Sequence, residues 1–108
     1  MRSVRPIPRA ALPNNMSVRI PLADGTFEEP VLICYVRFER TDSVSEDEHR
    51  PADGGAGTVF VDAVNSIGAF DVPAGSHVAV GGRSLYVRSV RRCEDLFGRV
   101  HHWEIKVG

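Results

Sequence analysis

The stretch GGRSLYVRSVRRCEDLFGRVHHWEIKVG, from Gly81 to Gly108, limits what this chain can become more than any other. Leu85, Tyr86, Val87 and Val90 lie in a segment rich in β-branched and aromatic residues, CEDLFG interrupts it, and strict alternation resumes from Val100 to Val107. That is the pattern of a β-hairpin. Strand side chains repeat every two residues, so Trp103, Ile105 and Val107 share one face while His102, Glu104 and Lys106 share the other. The Trp103 face is expected to be core.

A chain of 108 residues holds one domain and is too short for two. No apolar run approaches the ~20 residues that span a bilayer, so no membrane partner is expected. Arg2, Arg5, Pro6, Pro8 and Arg9 interrupt any apolar leader, so a cleaved signal peptide is not expected and synthesis in a cytoplasm is. Cys34 and Cys93 stand far apart with no C-x-x-C companion and read as free or buried thiols.

Along the chain, residues 1–15 form an arm broken by three prolines, with room for a turn of helix around Arg9 to Leu12 and no part in the core. Val18, Ile20 and Leu22 alternate with polar neighbours as a first strand that Pro21 ends or places at an edge. Asp24-Gly25 turns the chain. Val31 to Arg40 is a long strand with Leu32, Cys34, Val36 and Phe38 on one face, and its first half is apolar on both sides, so Val31 and Ile33 call for cover from a neighbour. Residues 41–57 carry Asp42, Glu46, Asp47, Glu48 and Asp53 among glycine and proline and form a long acidic loop without a core of its own. Thr58 to Asp62 is a further strand, Ala63 to Ser66 a turn, and His77 to Val80 a strand joined to Arg83 to Val90 through the two-residue link Gly81-Gly82. The sum is an all-β domain over 1–108, a small antiparallel barrel or sandwich of about six strands.

Searches for chemistry find little. His101 and His102 are adjacent on a strand and should face opposite ways, one of them packing beside Trp103, so they do not make a shared metal site, and no Cys/His ligand spacing accompanies them. No serine sits in a nucleophile elbow, and neither Gly54-Gly55 nor Gly81-Gly82 ends in the Lys-Ser/Thr of a phosphate loop. An enzyme, a cofactor and a metal are therefore not expected. Arg83, Arg88, Arg91, Arg92 and Arg99 near Tyr86, Phe97 and Trp103 keep open an alternative, a small nucleic-acid-binding barrel, which Glu94, Asp95 and Glu104 weaken by diluting the positive charge.

Three segments together, IPRAALP near the start, VFVDAVNS in the middle and LYVRSV with RVHHWEIKVG at the end, resemble the minor capsid or head-tail joining proteins of tailed bacteriophages and prophages. The specificity of the likeness lies in Phe60, Asp62, Asn65 and Ser66 and in His101, His102, Trp103 and Glu104, with Tyr86 after the hairpin glycines. The resemblance implies a virion protein at the head-tail interface, a head-completion or stopper ring that contacts a portal or adaptor protein and a tail protein and lets DNA pass without reading its sequence. It further implies that Val31, Ile33, Arg88, Arg91 and Arg92 serve subunit or partner contacts, in part through an exposed strand edge, and that the acidic loop helps to close or line the channel.

Overall fold

The computed structural model describes residues 5–41 and 56–108. A single 3-10 turn, Arg9–Ala11, precedes six strands: β1 Asn14–Arg19, β2 Val31–Arg40, β3 Gly57–Asp62, β4 His77–Val80, β5 Arg83–Glu94 and β6 Val100–Val107. They close into an antiparallel barrel in the order β1-β2-β3-β6-β5-β4, with β4 returning to pair with β1. Closure removes most of the edge that an open sheet of this size would expose. It is not complete along β5, whose first residues, Arg83 to Tyr86, pair with β4, while Ser89 to Glu94 pair with β6 alone.

Alternation explains the core. Met16 and Val18 of β1, Val59 and Val61 of β3, Val78 and Val80 of β4, Leu85 and Val87 of β5, and Trp103, Ile105 and Val107 of β6 all point inward and are buried. Val72, from the apolar stretch before β4, joins them. The Trp103 face is core, as the hairpin pattern requires. Gly81 and Gly82 make the β4–β5 turn with φ of 60° and 75°, values that carry no steric penalty for a residue without Cβ.

Two places break the alternation. On β2 the inward residues are Ile33, Val36 and the partly buried Phe38, because Tyr35 is extruded at φ 62° and the register against β1 jumps from Asn15↔Cys34 to Asn14↔Val36. Asn15 Oδ1 accepts the Tyr35 N–H at 3.2 Å, and Asn14 Oδ1 accepts that of Phe38 at 3.0 Å, so side-chain oxygens take up the donors of the irregular backbone. The expected row of Leu32, Cys34, Val36 and Phe38 therefore splits. Ile33 is fully buried, which corrects its reading as a partner contact, whereas Leu32 is 57% exposed and Val31 46%. On β5 a second register shift between Val87 and Ser89 lets Val87 and the partly buried Val90 both turn inward. Such bulges sharpen the local twist, which the two longest strands, β2 and β5, need in order to bend round a closed six-stranded sheet.

The arm also departs from expectation. Leu12 is 1% exposed and Arg9 lies over the Tyr35 ring at 4.5 Å, so the described part of the arm packs on its own barrel. Proline spacing reveals backbone restriction but is silent about a single leucine that tucks under. The 3-10 turn falls where a turn of helix was expected. Thr41 N–H donates to Ala56 O at 2.9 Å at the base of the acidic loop, while Asp42, Glu46, Asp47, Glu48 and Asp53 lie outside the described residues.

Candidate functional site

The segment Asp62-Ala-Val-Asn-Ser66 is a polar staple at the end of β3. Asp62 is fully buried, and its carboxylate accepts three backbone N–H groups: Ile7 at 2.9 Å, Val64 at 2.9 Å and Asn65 at 2.7 Å. Asn65 Nδ2 donates back to Ile7 O at 2.8 Å, so one arm residue is held at both its donor and its acceptor. Ser66 Oγ accepts the Asp62 N–H at 2.8 Å and donates to the extruded Tyr35 carbonyl. An aspartate at the first position of a turn offers two oxygens to the following amides, which is why this residue type sits here. The staple joins the arm, the β3 exit and the β2 bulge in one network of Asp62, Asn65 and Ser66, while the Phe60 ring lies beside that of His102.

On the outer face of the closing hairpin a second cluster forms. Cys93 of β5 is the cross-strand partner of His102 of β6, and Glu104 lies two residues further along β6 on the same face. His102 Nε2 is 3.0 Å from Glu104 Oε2, and the Cys93 thiol donates to that same oxygen at 3.7 Å. The hydrogen bond from His102 is the chief reason that Glu104 titrates below the usual carboxylate value, against opposing desolvation. Burial first, and then the Glu104 charge, push the Cys93 thiol up. The hydrogen-bond partner of the thiol is a carboxylate and not an imidazole, which differs from the pairing that activates a cysteine nucleophile.

His101 and His102 do not stay on opposite faces. At the barrel rim their rings meet edge to face with centroids 5.0 Å apart, and the two Nδ1 atoms are 2.8 Å apart. His101 Nε2 lies 2.6 Å from Arg5 O, and a carbonyl only accepts, so Nε2 carries the proton and His101 Nδ1 is free to accept from His102. Trp103 is 7% exposed and its Nε1 donates to Asp71 Oδ1 at 2.7 Å, so its indole is committed to the core.

Arg88, Arg91 and Arg92 are exposed on β5, with Arg92 paired to Glu94 at 3.4 Å. Tyr86 and Phe97 are exposed as well, but the burial of Trp103 removes the largest stacking surface that a nucleic-acid-binding barrel would use. Beside Val31 and Leu32 runs an apolar trough completed by Ile20, Gly68 and Phe70, with Ile67 nearby at 52% exposure. The hairpin tip presents Leu96 at 76% and Phe97 at 54% exposure. Sequence reasoning did not single out Leu96 or the trough, because each depends on which neighbours fail to cover a residue. The Cys93–His102–Glu104 trio was also missed; the signal was present in the hairpin, where residues on facing strands converge once the register is known.

Fold and sites together define a small closed barrel in which buried polar residues hold the chain's own arm and turns in place. The sequence model of one family, described as minor capsid protein, matches residues 22–107. The chain belongs to this minor capsid protein family, and is a structural protein of phage. No curated protein and no solved structure matches it. The match leaves out the arm, so the Ile7 contacts of Asp62 and Asn65 are a feature read from this chain alone.

Proposed function

We propose that the chain is a head-completion protein that forms a ring between the portal or an adaptor and the tail, and helps to close the DNA channel of the filled head. The carrying observation is family membership across residues 22–107, joined to a surface that suits assembly. Most of the strand edges are taken up by closure, so ring neighbours would meet largely through side-chain faces, with the one-sided stretch Ser89 to Glu94 of β5 as the strand edge left among the described residues. The apolar trough at Val31 and Leu32 and the Leu96-Phe97 tip are exposed apolar features of the kind that mark contacts between proteins. Arg88, Arg91 and Arg92 would lie at the polar rim of such contacts. The acidic residues Asp42, Glu46, Asp47, Glu48 and Asp53 would face passing DNA and repel phosphate, since protein–DNA adhesion depends on cations.

The reading is tested by removing the gene from the phage or prophage that carries it and inspecting the particles made. Filled heads without tails, which regain tails when the purified protein is added, are the expected result. Normally tailed, infectious particles from the deletion strain would overturn it.

A further inference from the structure

We infer that Cys93, His102 and Glu104 form a binding site for a borderline transition-metal ion of the zinc class, going beyond the proposed role in the virion. The donor set is a thiolate, an imidazole and a carboxylate, the three ligand types that zinc takes in proteins. Their donor atoms all lie within 4.8 Å of one another, with Nε2–Oε2 at 3.0 Å and Sγ–Oε2 at 3.7 Å. In a tetrahedral zinc site with bonds of about 2.0–2.3 Å, such pairs stand roughly 3.3–3.6 Å apart; the two distances to Glu104 Oε2 are within a few tenths of an ångström of that, and the Sγ–Nε2 separation, at most 4.8 Å, closes by side-chain rotation.

Three further features support a ligand role over a chance contact. Cys93 and His102 are paired across the hairpin, so the backbone already holds the two ligands on one face of the sheet. His102 offers Nε2 to the cluster while its Nδ1 faces His101 Nδ1, and His101 is anchored through Nε2 on Arg5 O. A His102 with its proton on Nδ1 is the form that ligates through Nε2, and His101 is the acceptor that selects it; the imidazole of His101 stands where a carboxylate, backbone carbonyl or water usually orients a metal-bound histidine. Finally, His102 Nε2 and Cys93 Sγ converge on the same Glu104 oxygen, so a single cation placed among them would be within reach of all three donors. The coordination shell is completed by water, because the cluster lies on the outer face with the His102 and Glu104 side chains 19% and 28% exposed. The rings of Phe60 and His102 are 6.4 Å apart, and Phe60 walls one flank.

The test is titration of the reduced full-length chain with Co2+, which adopts zinc geometries and reports thiolate bonding by colour. Expected are a stoichiometry of one, tetrahedral visible bands, a near-ultraviolet thiolate-to-cobalt charge-transfer band, and loss of all of these on adding equimolar Zn2+. Cys93→Ser should abolish the charge-transfer band, His102→Gln should weaken binding by more than tenfold, and Cys34→Ser should change nothing. His101→Gln, which touches no metal, should weaken binding roughly 10–100-fold by freeing the ring of His102. Absence of the charge-transfer band in the wild-type chain, or a band that persists in Cys93→Ser and disappears in Cys34→Ser, overturns the assignment. All four substitutions are at residues outside the buried core, and circular dichroism of each variant establishes that it is folded before it is titrated.

Discussion

Replacing Asp62 by alanine probes the staple most directly. The change strands three backbone N–H groups, those of Ile7, Val64 and Asn65, that now donate to one fully buried carboxylate. Hydrogen bonds to a charged acceptor contribute about 1.5–3 kcal/mol each when cut singly. The three are not additive, since they share one group, and the turn amides of Val64 and Asn65 are near enough to the surface to find water. A net loss of about 2–4 kcal/mol follows, a large fraction of the ~5–15 kcal/mol that holds a domain of this size together. In thermal unfolding this corresponds to a fall in Tm of roughly 10–20 °C. Asp62→Asn keeps the shape and one acceptor oxygen but turns an NH2 group toward backbone donors, so it should recover less than half of the loss. The arm supplies a second readout: Ile7 is released, and tryptic cleavage after Arg9 should accelerate under conditions where the barrel remains folded. Urea unfolding followed by circular dichroism, with timed trypsin digestion, measures both. A loss below about 1 kcal/mol with unchanged cleavage at Arg9 would refute the staple.

Trp103→Ala should cost ~3–5 kcal/mol, since it opens a cavity in the core and leaves Asp71 without its indole donor; a soluble variant of unchanged denaturation midpoint would contradict the core assignment. Gly57→Ala should destabilise by at least ~1–3 kcal/mol, because a Cβ there would press on the Glu39 carbonyl oxygen and stand 2.9 Å from Arg40 Cα, both backbone atoms that cannot swing aside. Asp95 accepts the amides of Arg99, the larger effect, and Phe97, and these hold its carboxyl below the ordinary 3.8. With the folded value below the unfolded one, its contribution is complete above about pH 4 and fades as pH falls through the folded value; Asp95→Asn should lose that part of the acid dependence in a pH series of urea midpoints, and an identical acid limb would count against it. Leu32→Asp together with Val31→Asp should leave the fold intact, as both residues are exposed, and should abolish tail joining in the complementation assay if the trough is a ring contact.

The closing hairpin was legible because each of its inward residues, Trp103, Ile105 and Val107, sits two positions from the next, and period two is written in the order of the side chains alone. The same is true of the Gly81-Gly82 turn, where two residues without Cβ leave few other readings, and of the turn at Asp62 to Ser66. Phase beyond a bulge is another matter. Tyr35 moves one residue out of the pleat, and from there Ile33 and Val36 share a face that alternation assigns to different sides. Whether a bulge forms depends on the twist needed for closure, which is a property of all six strands at once.

By itself, then, the sequence determined the all-β class, the strand count, the inward face of the hairpin and, through residues 22–107, the family. Only the tertiary structure decided that the sheet closes, that Leu12 and Ile33 are interior while Leu32 is not, and that Cys93 meets His102 and Glu104. The reason is physical. Period and turn chemistry are local and survive in any context, whereas closure, burial and the meeting of side chains from different strands depend on register, and register is set by contacts between residues far apart in the chain.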